Sequence, residues 1–210
     1  YNVSHFPFWD DAFTARRDRL NTLLDAMAAE PRLAGITWTC ITPGNMVKPR
    51  DLKRMRACGC VGINFGIESG DRGVLRAIRK GQRPEHIVAA VQAAKMVGMV
   101  TVVNMMFGFP GEGVTQLGHT LQLMEVLAPH TDFFNNHVKY GFSEWWLDPS
   151  RIRDEPDLHV LSPTKSQRYL EWDQTLELDF FQYEKEVQEL IADGVRYKAR
   201  HNQRRMGARA

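Results

Sequence analysis

Val61-Gly-Ile-Asn-Phe-Gly-Ile-Glu-Ser-Gly70 and Val100-Thr-Val-Val-Asn-Met-Met-Phe-Gly-Phe-Pro-Gly-Glu112 are two stretches of the sequence that share one pattern. Each begins as an apolar run rich in β-branched residues, which is typical of a strand buried on both faces. Each run ends in glycine and a carboxylate, directly before a segment with helical spacing. Because α/β barrels and open parallel sheets place their chemistry at the carboxyl ends of such strands, the two stretches predict a functional site there.

The rest of the chain repeats this alternation of strand and helix. The apolar runs predict strands at residues 3–8, 36–40, 61–67, 100–107 and 132–138. Apolar residues at helical spacing predict helices at residues 16–29, 49–59, 84–98 and 114–127, with a short helix around 74–75. Five such alternations favour a parallel sheet with right-handed crossovers, so the predicted fold class is α/β.

The pattern changes after Tyr140. Residues 141–163 are rich in proline and tryptophan and predict an irregular wrap, followed by helices at about residues 164–178 and 181–200. We therefore divide the chain into an α/β domain of residues 1–140 and a C-terminal extension of residues 141–210. Basic residues crowd the end of this extension, and we interpret them as a solvated or frayed helical tail.

Composition excludes several classes of protein. With 210 residues, 43% of them hydrophobic, the chain suits one domain with an appendage, and its net charge of +2 gives no reason to expect a nucleic-acid partner. Three cysteines do not form a disulfide framework in a chain of this length, which favours a reducing, cytoplasmic setting. No apolar run approaches the ~20 residues of a membrane helix, and the sequence shows no signal peptide.

Carboxylates follow the first predicted strand as the pair Asp10 and Asp11. One of them could bind a substrate amine while the other supports it. The alternative is that they cap the following helix near Ala15.

Glu68 and Ser69 end the third predicted strand and are flanked by Gly66 and Gly70. Glycine on both sides lets a ligand approach the backbone closely. A carboxylate beside a hydroxyl could hold a pair of sugar hydroxyls, although a helix cap is an equal alternative.

Gly108 to Glu112 end the fourth predicted strand, in which Asn104 is a polar residue among apolar ones. A buried asparagine needs a hydrogen-bond partner, so Asn104 is a further candidate for ligand binding. Glu112 could contact a ligand or favour the positive end of the next helix. These three groups all lie at the carboxyl ends of successive strands, and that coincidence strengthens the prediction of a common site.

The side chains of the sequence predict no metal site. Cys58-Gly-Cys60 has too short a gap for a zinc knuckle, and Cys40 is distant in the sequence. Cysteines in the core or at a helix end are the better interpretation. The seven histidines form no cluster with ligand spacing.

The order of five motifs resembles the radical S-adenosylmethionine (SAM) enzymes. The motifs are Asp10-Asp11-Ala-Phe13-Thr14, Trp38-Thr-Cys40, Gly59-Cys60 with Gly66-Ile-Glu-Ser-Gly70, Lys80-Gly81, and Gly108-Phe-Pro-Gly-Glu112. More narrowly, this order is similar to that of the subgroup that often carries an N-terminal cobalamin-binding domain. The resemblance covers about residues 1–138.

The resemblance implies a partial (β/α)6 TIM-like barrel of parallel strands. Residues 1–140 would be its core without the first βα unit, which we expect before Tyr1. In the family that unit carries a Cys-x-x-x-Cys-x-x-Cys loop that binds a 4Fe–4S cluster. Because no cysteines here have that spacing, residues 1–210 alone are expected to be inactive and free of the cluster.

The implied activity is reductive cleavage of SAM to a 5′-deoxyadenosyl radical, which takes hydrogen from a small-molecule substrate. An electron donor such as flavodoxin or ferredoxin is an expected partner. Cobalamin-dependent methyl transfer is the first expectation and another radical rearrangement or cyclisation the second. Two alternatives remain: a non-catalytic relative that binds SAM, and an RNA-modifying enzyme that uses the basic tail.

The resemblance also implies roles for particular residues. Asp10 or Asp11 would contact the methionine amino group, Glu68 and Ser69 the ribose or the methionine carboxylate, and residues 108–112 the adenine, largely through backbone. Asn104 is assigned to the same cofactor-binding set. The chain departs from the family at Gly113, where threonine is frequent, and after its last strand, where Gly141-Phe-Ser-Glu-Trp-Trp replaces a Pro-Gly-Thr turn.

Overall fold

The computed structural model describes residues 3–109, 112–138 and 185–208. Its sheet has five parallel strands in the order β1-β2-β3-β4-β5. The strands are β1 His5–Pro7, β2 Thr37–Thr42, β3 Cys60–Glu68, β4 Val100–Phe107 and β5 Phe133–Val138. The predicted fold class and all five strands are confirmed, with boundaries that shift by one or two residues.

Helices follow the strands in alternation. They are α1 Arg17–Ala29, α2 Pro49–Ala57, α3 Arg72–Ala77, α4 Pro84–Met96, α5 Val114–Leu127 and α6 Lys185–Gly207. Short 3-10 turns at Pro31–Leu33, Gly44–Met46 and Ala128–His130 complete the connections. The predicted wrap at 141–163 and the predicted helix at 164–178 lie outside the described residues.

The two faces of the sheet differ because successive side chains alternate between them. On β4, Thr101, Val103, Met105 and Phe107 are buried, whereas the residues between them are half-buried. The buried face packs against the helices in a core that includes Trp38, Leu52, Met55, Ile63, Phe65 and Phe134. The half-buried face includes Asn64 and Asn104, and we call it the inner face.

Asp132 ties the strands together at their amino ends. Its carboxylate accepts hydrogen bonds from Lys95 Nζ at 2.7 Å and from Thr101 N at 2.9 Å. Burial alone would raise the pKa of Asp132, but the Lys95 ammonium and the Thr101 amide outweigh burial and lower the pKa. We call these contacts of Asp132 with Lys95 and Thr101 the Asp132 latch. It lies at the opposite end of the sheet from the predicted site.

Helix α6 covers the edge of β5. The side-chain amide of Asn202 accepts from Phe134 N at 2.9 Å and donates to Phe134 O at 2.8 Å. Arg205 donates to the carbonyls of Ala128 and Pro129. The described part of the basic tail is therefore a docked helix, so the frayed alternative is wrong. Arg196, Arg200 and Arg204 are exposed, in line with the alternative of a solvated helical tail. Among the residues that the structure describes, none of the helices has the length and hydrophobicity needed to cross a membrane.

Candidate functional site

The carboxyl ends of the strands meet at one edge of the sheet because all five strands are parallel. Asp10 and Asp11 follow β1, Glu68 ends β3 and Gly108 follows β4. Glu68 and Gly108 have left-handed backbones, with φ of +74° and +85°. A left-handed φ is strained for glutamate, and such strain is concentrated at functional sites. The topology thus gathers the predicted residues along a common rim.

Glu68 pairs with Lys80 on this rim. Lys80 Nζ lies 2.9 Å from Glu68 Oε1, and the Glu68 side chain is 16% exposed. Lys80 follows α3 and is held between two residues with left-handed backbones, Arg79 and Gly81. Its amide donates to Leu75 O at 3.0 Å, which turns the chain back toward the strand end. The turn after α3 thus brings a cation to the end of β3.

The absence of a side chain at Gly66 lets this pair lie close to the backbone of β3. A Cβ at this position would lie 3.2 Å from Glu68 Oε1 and 3.4 Å from Lys80 Nζ. Gly66 is also the register partner of Asn104 on β4. We call the immediate surroundings of the Gly66 backbone, with Glu68 and Lys80 on one side and Asn104 on the other strand, the Gly66 gap.

Two asparagines on the inner face have unpartnered oxygens. Asn104 Oδ1 and Asn64 Oδ1 are both buried without a hydrogen-bond partner. A buried amide oxygen left unpaired costs roughly 1–3 kcal/mol, and native structures rarely leave one without a reason. The predicted need of Asn104 for a partner is therefore unmet within the described residues, and Asn64 shares it. Both oxygens are available as acceptors for a bound molecule.

A cavity of about 350 Å³ opens on the inner face below the rim. It is lined by Asn64 together with apolar residues of β1 to β4, among them Phe8, Ile41 and Val102. This volume is within the range of small-molecule sites.

Ser69 has an internal role instead of the predicted ligand contact. The residue is fully buried, and its hydroxyl bonds to Thr120 Oγ1 at 3.1 Å and accepts from Asp71 N at 3.1 Å. Gly70 packs so closely on α5 that a Cβ would lie 2.4 Å from the His119 carbonyl oxygen. The Glu-Ser-Gly motif is therefore split, with Glu68 on the rim and Ser69 and Gly70 against α5. The helix cap of α3 is Asp71, so neither Glu68 nor Ser69 caps it.

Glu112 supports the loop after β4. Its Oε2 accepts from Gly108 N at 2.7 Å and from Phe109 N at 3.2 Å, and the residue is 5% exposed. Burial raises its pKa to about 7, although the two amides act in the opposite direction. Its Oε1 is buried without a hydrogen-bond partner among the described residues, and the residue lies directly before Gly113, the N-cap of α5. Both predicted roles, a ligand contact and an interaction with the start of α5, therefore stay predictions for this carboxylate. It fixes the left-handed turn at Gly108.

The two aspartates after β1 differ from each other. Asp10 forms an ion pair with Arg19 at 2.8 Å, whereas Asp11 is exposed. Helix α1 begins at Arg17 with Arg16 as its N-cap and no side-chain cap bond, so the capping alternative is wrong. Asp11 remains the candidate with an accessible carboxylate.

The three cysteines are not arranged as ligands of a cluster. Cys40 and Cys60 are buried, and a hydrogen bond between them, together with burial, raises the pKa of Cys40. Cys58, which follows the last residue of α2, donates a hydrogen bond to the backbone oxygen of Leu24 in α1. No group of three potential metal ligands occurs within residues 3–109, 112–138 and 185–208. These cysteines therefore belong to the core and a helix end.

A family model described as the radical SAM superfamily matches residues 4–124, which is more than half of the chain. This chain belongs to the radical SAM superfamily. An uncharacterized methyltransferase of Pyrococcus horikoshii is 28% identical to this radical SAM chain over 146 residues, covering 70% of the chain and 31% of the relative. The chain thus spans about a third of the length of that relative.

Solved structures support the radical SAM fold. The radical SAM methyltransferase TsrM from Kitasatospora setae, solved with cobalamin and a 4Fe–4S cluster bound, gives a TM-score of 0.60 at 16% identity, over 76% of this chain and 33% of that one. Coproporphyrinogen III oxidase from Escherichia coli, a radical SAM enzyme, gives a TM-score of 0.58 at 18% identity. The match covers 80% of this chain and 38% of the oxidase chain. At these identities the likeness establishes the partial TIM-like barrel alone.

Sequence reasoning missed Asn64 and Lys80 as site residues. Asn64 carries the same signal that singled out Asn104, a polar residue in an apolar strand, and could have been found. Lys80 belongs to the Lys80-Gly81 motif, for which the resemblance implies no particular contact with the cofactor. Its position depends on the left-handed turns around it, which residue types alone do not place in space.

Proposed function

We propose that this chain binds SAM at the carboxyl edge of its sheet, in the Gly66 gap, as the core of a radical SAM enzyme. The observation that carries the proposal is the unpartnered oxygen of Asn104 beside a gap lined by a carboxylate and an ammonium. The methionine part of SAM carries an amine and a carboxylate, and its nucleoside carries donors. The Lys80 ammonium, the Glu68 carboxylate and the unpartnered Asn104 oxygen together complement such a molecule.

Each group has a role that its chemistry suits. Lys80 offers a cation to the methionine carboxylate, and Glu68 accepts from the ribose hydroxyls. Asn104 and the backbone near Gly108 face the adenine, and Asp11 takes the amine. The Glu68 carboxylate is only 16% exposed, and this burial strengthens its attraction for a cationic sulfonium. When bound, SAM supplies a sulfonium that can be cleaved or can donate its methyl group.

The cysteines present do not fit a 4Fe–4S cluster, because two are buried and the third is bonded at a helix end. The ligands of a cluster would therefore have to come from outside residues 1–210. This chain's residues bind and orient the nucleoside and exclude water from it.

Methyl transfer is the proposed reaction of the whole protein. The Pyrococcus horikoshii relative is named a methyltransferase, and TsrM is one that was solved with cobalamin. Cobalamin is accordingly the proposed second cofactor, and a small molecule the proposed substrate. An RNA substrate is less favoured, because two arginines of α6 already have partners within the chain. Arg205 donates to the backbone oxygen of Ala128, and Arg196 forms an ion pair with Asp193.

The binding proposal is tested with S-adenosylhomocysteine, which keeps the amine, carboxylate, ribose and adenine of SAM. Calorimetric titration of wild-type, Lys80→Met and Glu68→Gln proteins should show binding to the wild type and a loss of about ten-fold or more in each variant. Lys53→Met, at an exposed position of α2, is the matched control and should bind like the wild type. Equal affinity in all four proteins would reject the site.

A further inference from the structure

Gln82 is a buried side-chain amide with both ends bonded to backbone. Its Oε1 accepts from Gly44 N at 2.9 Å, and its Nε2 donates to Gly66 O at 2.9 Å. The residue is 5% exposed. No step of the proposed function uses it.

The two glycines lie where the pairing of β2 with β3 has ended. The last register pair of these strands is Thr42 with Phe65. Beyond that pair, β2 offers no ladder partner to Gly66 O and β3 offers none to Gly44 N, and a buried backbone group that stays unpaired is costly. The amide of Gln82 satisfies both groups at once and so extends the pairing by one step through a side chain.

Gln82 is linked through short pieces of backbone to both members of the ion pair. Gly66, which accepts its hydrogen bond, is two residues before Glu68, and Lys80 is two residues before Gln82 itself. A second bond runs parallel, from Asn45 Nδ2 to Gly81 O at 3.1 Å. The loops after β2 and α3 are thereby held together at the base of the Gly66 gap.

We propose that Gln82 is a positioning residue, which fixes the Glu68–Lys80 pair in the geometry that receives the nucleoside without touching it. Glu68 has a strained backbone, and strain of this kind persists only when its surroundings enforce it. The bond from Gln82 to Gly66 supplies that constraint next to the strained residue. This inference rests on the proposed SAM site.

The test compares Gln82→Leu with Lys95→Met. Leucine fills a similar volume but makes neither bond. Lys95→Met breaks the Asp132 latch at the far end of the sheet and serves as a control for lost stability alone. Both proteins are measured for their unfolding midpoint, their S-adenosylhomocysteine affinity, and the backbone amide resonances of Glu68 and Lys80.

Both variants should be less stable than the wild type, but only Gln82→Leu should lose ligand affinity. We expect a loss of about ten-fold, equivalent to one hydrogen bond that the displaced Glu68–Lys80 pair no longer makes to the ligand. Gln82→Leu should also shift the amide resonances of Glu68 and Lys80 and speed hydrogen exchange at Gly44. Equal affinity loss in the two variants, or unchanged affinity in Gln82→Leu, would overturn the inference.

Failure of the proposed function gives a different result. If the wild type binds no S-adenosylhomocysteine, the proposed SAM site is wrong. The amide resonances of Glu68 and Lys80 then test whether Gln82 positions this pair. Shifts at Glu68 and Lys80 in Gln82→Leu that are absent in Lys95→Met would support its positioning role. Unmoved resonances would refute that role independently of any ligand.

Discussion

Lys80 Nζ lies 2.9 Å from Glu68 Oε1, and both atoms lie so close to Gly66 that a Cβ there would come within 3.2 Å of the Glu68 oxygen and 3.4 Å of the Lys80 nitrogen. The pair joins the end of β3 to the turn after α3. Both partners are partly shielded, so the interaction is stronger than that of an exposed ion pair. The gap beside it is the centre of the proposed site.

Filling the gap should weaken ligand binding. In Gly66→Ala the new methyl group would lie 3.2 Å from Glu68 Oε1 and 3.4 Å from Lys80 Nζ, so the two side chains must move. They are flexible, and we therefore expect an intact fold with an S-adenosylhomocysteine affinity about ten-fold lower, measured by calorimetry. Gly118→Ala is the control, because a Cβ there meets no atom within 4 Å. An unchanged affinity in Gly66→Ala would place the ligand elsewhere.

Replacing Asn104 by leucine should raise the stability of the protein and lower its affinity for the ligand. Asn104→Leu removes a buried oxygen that has no partner, so we expect the ligand-free protein to gain about 1 kcal/mol in its free energy of unfolding. The same change removes an acceptor from the site and should reduce ligand affinity. Urea denaturation and calorimetry measure the two effects. A variant that is less stable and binds normally would show that Asn104 is a structural residue.

Sequence patterns predicted the fold well because they report burial and periodicity. The β-branched runs at Val61 and Val100 marked the strands, and helical spacing marked α1, α2, α4 and α5. The expected burial on both faces is wrong for β4, which is buried on one face and half-buried on the other. The rim was also predictable, since parallel strands must end together. Asn104 was singled out by polarity within an apolar strand.

The roles of individual rim residues were less predictable, because residue type does not tell which way a side chain turns. Ser69 and Glu112 were assigned to a ligand, yet the Ser69 hydroxyl bonds to Thr120 of α5 and Glu112 Oε2 bonds to the amides of its own loop. Lys80 and Gln82 lie in a loop without periodicity, and their positions depend on left-handed backbone at Arg79 and Gly81. The docking of α6 on β5 depends on long-range contacts of Asn202.

Glu112 should give the protein a characteristic pH dependence. Burial raises its pKa from 4.5 to about 7, so between these values the folded state holds a proton that the unfolded state has lost. Stability contributed by this group is therefore present below pH 4.5 and falls as the pH rises to about 7, by up to about 3 kcal/mol.

Glu112→Gln removes this titration and keeps an oxygen for the amides of Gly108 and Phe109. Urea denaturation at several values between pH 4.5 and 8 should show the variant gaining stability relative to the wild type as the pH rises. Glu125→Gln, at an exposed position of α5, should show no such trend. A constant difference between Glu112→Gln and wild type across this range would contradict the explanation.

Asn202 should protect the edge of β5. Asn202→Ala leaves Phe134 N and O without their side-chain partner, which should lower the free energy of unfolding by about 1–3 kcal/mol. Hydrogen exchange at the Phe134 amide should become faster, and an exposed edge favours association of chains. Arg200→Ala, at an exposed position of the same helix, is the control. Unaltered exchange at Phe134 would mean that packing alone holds α6.

The most direct test of the central claim is a nuclear magnetic resonance titration of the chain with S-adenosylhomocysteine. The proposed site predicts amide shifts at Gly66, Glu68, Lys80 and Gly108, with none at Gly59, Gly98 or Thr131 at the amino ends of the strands. An absence of saturable shifts, or shifts confined to the amino ends, would contradict binding of the nucleoside at the carboxyl edge of the sheet.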